Sequence, residues 1–122
     1  MRPAPKKRQH YVKFEAVITS LSSDQLDALT ALGVRLGFPR MALVRRAAAL
    51  ALAQPESAAS SKVTSRGPFF AFVAALPLGQ RTALDKAARR VGVPRAALIR
   101  AGVDRLLAQP ELLVRDAKAV QP

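Results

Sequence analysis

Residues 37–46 read GFPRMALVRR, and residues 92–101 read GVPRAALIRA. In both stretches a glycine is followed two positions later by proline, then by arginine and an apolar run. A glycine just past a helix supplies the left-handed residue on which helices end, and proline suits the first turn of the next. The stretch therefore predicts one helix ending at Gly37 or Gly92 and another opening at Pro39 or Pro94. About a dozen residues further on, both copies reach the same four letters, AQPE, at 53–56 and 108–111.

Working outward, residues 14–56 slide onto 69–111 without a gap and match at 18 of 43 positions. The matches include Phe14/Phe69, Leu21/Leu76, Leu29/Leu84, Gly37/Gly92, Pro39/Pro94, Arg45/Arg100 and Gln54/Gln109, so alanine richness alone does not account for them. The agreement predicts an internal duplication, which has to be recognised before a fold is assigned.

Each copy has three parts. FEAVITSL (14–21) and FFAFVAAL (69–76) have the branched and aromatic composition and the length of strands. A helix follows. Ser22 and Gln25 have the spacing of a capping box, and Leu26, Leu29, Leu32 and Leu36 form an apolar stripe. In the second copy the stripe is Leu84, Ala87, Ala88 and Val91, with Arg81, Lys86, Arg89 and Arg90 on the other faces; Arg89 and Arg90 read as a solvated face. The second helix buries Leu43, Val44, Ala47 and Ala51, or Leu98, Ile99, Gly102 and Leu106, and stops at Pro55 or Pro110. Arg45 and Arg100 fall one turn inside it, where surface or packing roles are expected. The small polar stretch SAASSKVTSR (57–66) reads as a flexible linker.

The chain has 122 residues, and each copy alone is close to the size at which an isolated fold becomes marginal. Its charge is one-sided, with 20 Lys and Arg against 8 Asp and Glu, a balance that favours polyanionic partners. Arg2, Lys6, Lys7, Arg8 and Lys13 make residues 1–13 a basic, proline-interrupted arm without an acid, expected to be flexible and to follow a phosphate backbone. Residues 14–56 are neutral, whereas 67–111 carry seven bases and three acids.

A strand and two helices, with leucine at the strand end (Leu21-Ser22, Leu76-Pro77), glycine between the helices (Gly37, Gly92) and ALVR (42–45) or ALIR (97–100) opening the second helix, resemble the ribbon-helix-helix family of DNA-binding repressors. The resemblance covers about residues 12–56 and 67–111. It implies a mainly α fold with a short β ribbon, in which two β-α-α repeats form an intrachain pseudo-dimer around a two-stranded antiparallel ribbon. The linker supplies a high effective concentration of one repeat for the other. Pairing of each repeat with its counterpart on another chain is the alternative. The expected organisation is a basic arm (1–13), repeat one (14–56), linker (57–66), repeat two (67–111) and a C-terminal tail (112–122).

The resemblance further implies double-stranded DNA as partner, with the ribbon in the major groove and the second-helix N-termini on phosphates. Val17, Thr19, Leu21, Phe72, Ala74 and Leu76 then face inward. Ala16, Ile18, Ser20, Ala71, Val73 and Ala75 face the bases; a one-residue shift would present Glu15, Val17 and Thr19 instead. Phe38, Pro39 and Arg40, and Val93, Pro94 and Arg95, are the expected phosphate contacts. Base-reading side chains are normally polar, and this ribbon offers one serine; its apolar groups can touch thymine methyls but donate no hydrogen bond.

The expected function is a transcriptional repressor, or a plasmid or phage maintenance or transfer factor, with self-association on DNA left open. The alternative is a protein-interaction module of the same fold, antitoxin-like or docking, whose apolar ribbon binds protein. One histidine (His10), no cysteine and no paired carboxylates predict a non-enzyme without cofactor or metal. No apolar run approaches the ~20 residues of a membrane helix, and no signal-type segment follows MRPAPKKRQH. A cytoplasmic, nucleoid- or plasmid-associated bacterial protein without a membrane partner is expected.

Overall fold

A computed structural model describes residues 13–60 and 68–113. The protein is mainly helical with one small antiparallel sheet. Strand β1 (Phe14–Ser22) leads into α1 (Ser23–Leu36), α2 (Arg40–Ala53) and a short α3 (Glu56–Ser60); β2 (Phe69–Pro77) leads into α4 (Gln80–Val91) and α5 (Arg95–Ala108). Ser57 to Ser60 thus extend the helical part into the stretch read as linker. Residues 61–66 of that stretch lie outside the described residues, as does the tail beyond Leu113.

The two strands pair within one chain, from Phe14 opposite Pro77 to Ser22 opposite Phe69, with Ile18 opposite Val73 at the midpoint. Alternation assigns the faces. Val17, Thr19 and Leu21, with Ala74 and Leu76, are buried, and Phe72 is half-buried against them. Beneath the ribbon lies the core, with Leu29, Leu43, Leu84, Leu98, Ile99 and Leu106 fully enclosed. Thr19 breaks its apolar character: its buried hydroxyl has no hydrogen-bond partner, a loss of solvation that nothing offsets.

Helices α1 and α4 end as the sequence predicts. Gly37 and Gly92 adopt φ of 80° and 81°, a backbone region that costs glycine nothing. Their amides and those of Phe38 and Val93 close onto the carbonyls of Gly33 and Ala88. The chain then reverses into α2 and α5, which pack on one another through the core. Ala47 and Gly102 meet at that crossing: a Cβ on Gly102 would overlap the Ala47 carbonyl oxygen and stand 3.2 Å from Ala51 Cβ.

The prolines sit one position earlier than expected. Pro39 and Pro94 are the N-cap residues of α2 and α5, with ψ of 151° and 152°, rather than first-turn residues. Each arrives extended from its glycine turn and turns helical only at the arginine. Its carbonyl accepts the first helical bonds, from Ala42 and Leu98. A proline cap has no side-chain acceptor, so neither helix start is covered by its own cap residue.

Candidate nucleic-acid interface

The exposed face of the ribbon is built from alternate residues of both strands. Ala16, Ile18 and Ala71, Val73 are exposed there, while Ser20 and Ala75 are half-buried. Ile18 and Val73 are 64% and 58% exposed, although both are large and apolar. Phe14 and Phe69 continue the row at the ends and also remain open to solvent.

Four arginines hold this ribbon from its two free edges. Arg45 donates through Nε to the Ala75 carbonyl at 2.7 Å and lies 4.4 Å over the Phe14 ring. Arg100 donates to the Ser20 carbonyl at 3.2 Å and hydroxyl at 2.8 Å, and lies 4.3 Å over the Phe69 ring. Each arginine thus joins the carbonyl of one strand to the aromatic end of the other, and each comes from a helix belonging to the opposite half. Burial holds the Arg100 guanidinium below the ordinary arginine value, with the Asp104 carboxylate pulling the other way. Arg40 and Arg95 flank the same ribbon. Arg40 stacks 5.4 Å over Phe72 and donates to the Thr30 hydroxyl at 3.1 Å; Arg95 donates to the Ile18 carbonyl and pairs with Asp85, both at 3.2 Å.

These bonds fix the pairing geometry. The carbonyls of Ile18, Ser20 and Ala75 point away from the partner strand, and the Ala75 amide meets Met41 Sδ instead. Ile18/Val73 and Ala16/Ala75 are therefore non-hydrogen-bonded pairs, the type whose side chains stand closest. Occupied carbonyls and bulky cations also blunt both edges against further strand addition.

The structure brings most of the expected site together. Phe38 and Val93 are half-buried beneath the helix starts, Pro39 and Pro94 are exposed, Arg40 is exposed and Arg95 is partly covered. Val93, Pro94 and Arg95 line an open cleft of about 290 Å³ with Asp85 and Arg89. In the basic arm Arg2, Lys6, Lys7 and Arg8 lie outside the described residues, whereas the Lys13 carbonyl accepts from the Leu78 amide.

Three further residues border this site, and sequence reasoning gave them no specific role in it. Arg45 and Arg100, expected in surface or packing roles, do pack, and do so as strand clamps; their recurrence at the repeat offset together with the two phenylalanines was the available signal. Arg89, read as part of a solvated face, is exposed and borders the cleft because the Gly92 turn folds the α5 start back beside it. Among the described residues no cluster of His, Asp and Glu could hold a metal, and no helix is long and apolar enough to cross a membrane. Comparison with protein families, curated proteins and solved structures finds no match.

Proposed function

We propose that the protein binds double-stranded DNA as a single-chain pseudo-dimer of two ribbon-helix-helix units, acting as a repressor or as a plasmid or phage maintenance or transfer factor. The ribbon enters the major groove, which is wide enough for two strands, and the starts of α2 and α5 meet the phosphates on either side. The observation that carries this reading is the placement of Arg40 and Arg95, which bracket the ribbon from opposite strands at two helix starts without a side-chain cap. The net charge of +12 favours the same partner.

Duplication is supported by correspondences at the sequence offset of the repeat. Ile18 and Val73, which pair at the ribbon midpoint, and Ala47 and Gly102, which meet at the helix crossing, are two such matched pairs. The Arg45 and Arg100 clamps are related by that offset in the arginine, the carbonyl and the ring alike.

Fluorescence anisotropy with the duplex upstream of the gene and a scrambled duplex, at near-physiological salt (~150 mM), tests the reading; a regulator binds the first ~10²-fold or more tighter. With about six phosphates engaged, affinity falls roughly 10³-fold between 50 and 200 mM salt. A shallow salt dependence sinks the proposal. The exposed Phe14, Ile18, Phe69, Phe70 and Val73 favour protein docking as a second reading. Polar substitution of Ala71 and Val73 separates the two: lost DNA binding supports the first, and lost association with intact DNA binding the second.

A further inference from the structure

The outer face of the ribbon is short of hydrogen-bonding groups but has a definite shape. Ile18 and Val73 face one another as a non-hydrogen-bonded pair and form a ridge across the ribbon midpoint, flanked by the shorter pairs Ala16/Ala75 and Ser20/Ala71. The one hydroxyl in these three pairs, that of Ser20, already accepts from Arg100 at 2.8 Å. That hydroxyl keeps one O–H to donate at the side of the ridge, but the ridge and its alanine flanks cannot exchange hydrogen bonds with the O6, N7, N6 or N4 groups of base edges. In the major groove the Ile18/Val73 ridge can favour only the C5-methyl of a pyrimidine. Charge complementarity commits the ridge to DNA, since Arg40 and Arg95 flank it and the chain carries a net charge of +12.

We propose that the Ile18/Val73 ridge selects duplexes with C5-methylated pyrimidines, thymine or 5-methylcytosine, at the centre of the contact. The inference rests on the DNA-binding reading and names what that site recognises. Recognition is by burial of methyl surface: the methyl leaves water against two branched side chains, and an unmethylated pyrimidine leaves a gap there. Burying a group of that size corresponds to about a fourfold gain in affinity per methyl, and to roughly fifteenfold for two. Removing or adding the C5-methyl leaves the minor-groove edge unchanged.

The test needs no knowledge of the operator. Binding of the full chain is measured by anisotropy to alternating A·T duplexes containing either thymine or uracil, and to alternating G·C duplexes containing either cytosine or 5-methylcytosine. The expected result is weaker binding when thymine becomes uracil and tighter binding when cytosine is methylated, each about four- to fifteenfold. The double variant Ile18→Ala/Val73→Ala, checked by circular dichroism for retained helix content, should bind both members of each pair alike. Equal binding of methylated and unmethylated duplexes by the wild-type chain overturns the methyl inference and leaves the DNA reading standing. Discrimination that persists in the double variant overturns it too, by assigning the preference to duplex stiffness. No binding to any of the four duplexes overturns the DNA reading itself, and with it this inference.

Discussion

Helices α1 and α4 follow their strands in the same order, yet their first turns are held by different means. At α1 the cap is local: the Gln25 amide donates to Ser22 Oγ at 3.1 Å, and Gln25 Oε1 accepts from the Ser22 amide at 3.2 Å. At α4 the residue in the place of Ser22 is Pro77, which has neither the amide nor the hydroxyl. The helix starts later, after Gly79, and Glu15 of β1 accepts from the Gly79 and Arg81 amides at 2.8 and 3.1 Å. Gln80, in the place of Gln25, is left with a buried Oε1 that has no partner. The second half therefore depends on the first for a bond that the first makes for itself. Two halves with the same ground plan are unequal in what they need.

The largest break in that comparison is expected at the crossing of α2 and α5. Gly102→Ala drives a methyl into the Ala47 carbonyl and should lower stability by about 3 kcal/mol. Ala47→Gly, at the corresponding position, loses helix propensity and one buried methyl and should cost about 2 kcal/mol. Urea midpoints of the two variants check this, and equal losses would show that the close approach is not one-sided.

Next come the caps. Glu15→Ala should lower stability by about 1–2 kcal/mol, because it strips a charged acceptor from two amides at the start of α4. Ser22→Ala should cost about 1 kcal/mol. Amide hydrogen exchange distinguishes them: Glu15→Ala should speed exchange in the first turn of α4, and Ser22→Ala in that of α1. The smallest effect runs the other way. Thr19→Val removes a buried hydroxyl without a partner and keeps the shape, so it should raise the melting temperature, by about 1 kcal/mol in stability terms. Its counterpart Ala74 has no such group to remove.

The local devices were legible in the sequence. The Ser22/Gln25 box, the glycine helix ends and the apolar stripes act within a few residues, and the spacing of their members carries the information. What escaped the sequence acts across the fold. Gln25, read as a cap alone, also donates through Nε2 to the Arg100 carbonyl and to Asp104 at 3.2 and 2.9 Å, which is why so polar a residue is buried. No local pattern shows that Glu15 will cap a helix starting at Gln80, or that Arg45 and Arg100 will reach the strand of the opposite half. The proline caps were missed by one position because the fixed φ of proline suits both sites, and only ψ tells them apart. Of the interface, the exposed ribbon face follows from alternation and an inward leucine, whereas the edge clamps needed the strand pairing.

Strand pairing within one chain has a consequence for dose. A ribbon made from two separate chains is lost on dilution, since its formation is second order in protein, and its occupancy falls off steeply when few copies are present. Here β1 and β2 belong to one polypeptide, so the ribbon forms by a first-order step and is as complete at one copy per cell as at a thousand. The amount of assembled ribbon then follows expression in simple proportion, with no threshold set by the meeting of subunits.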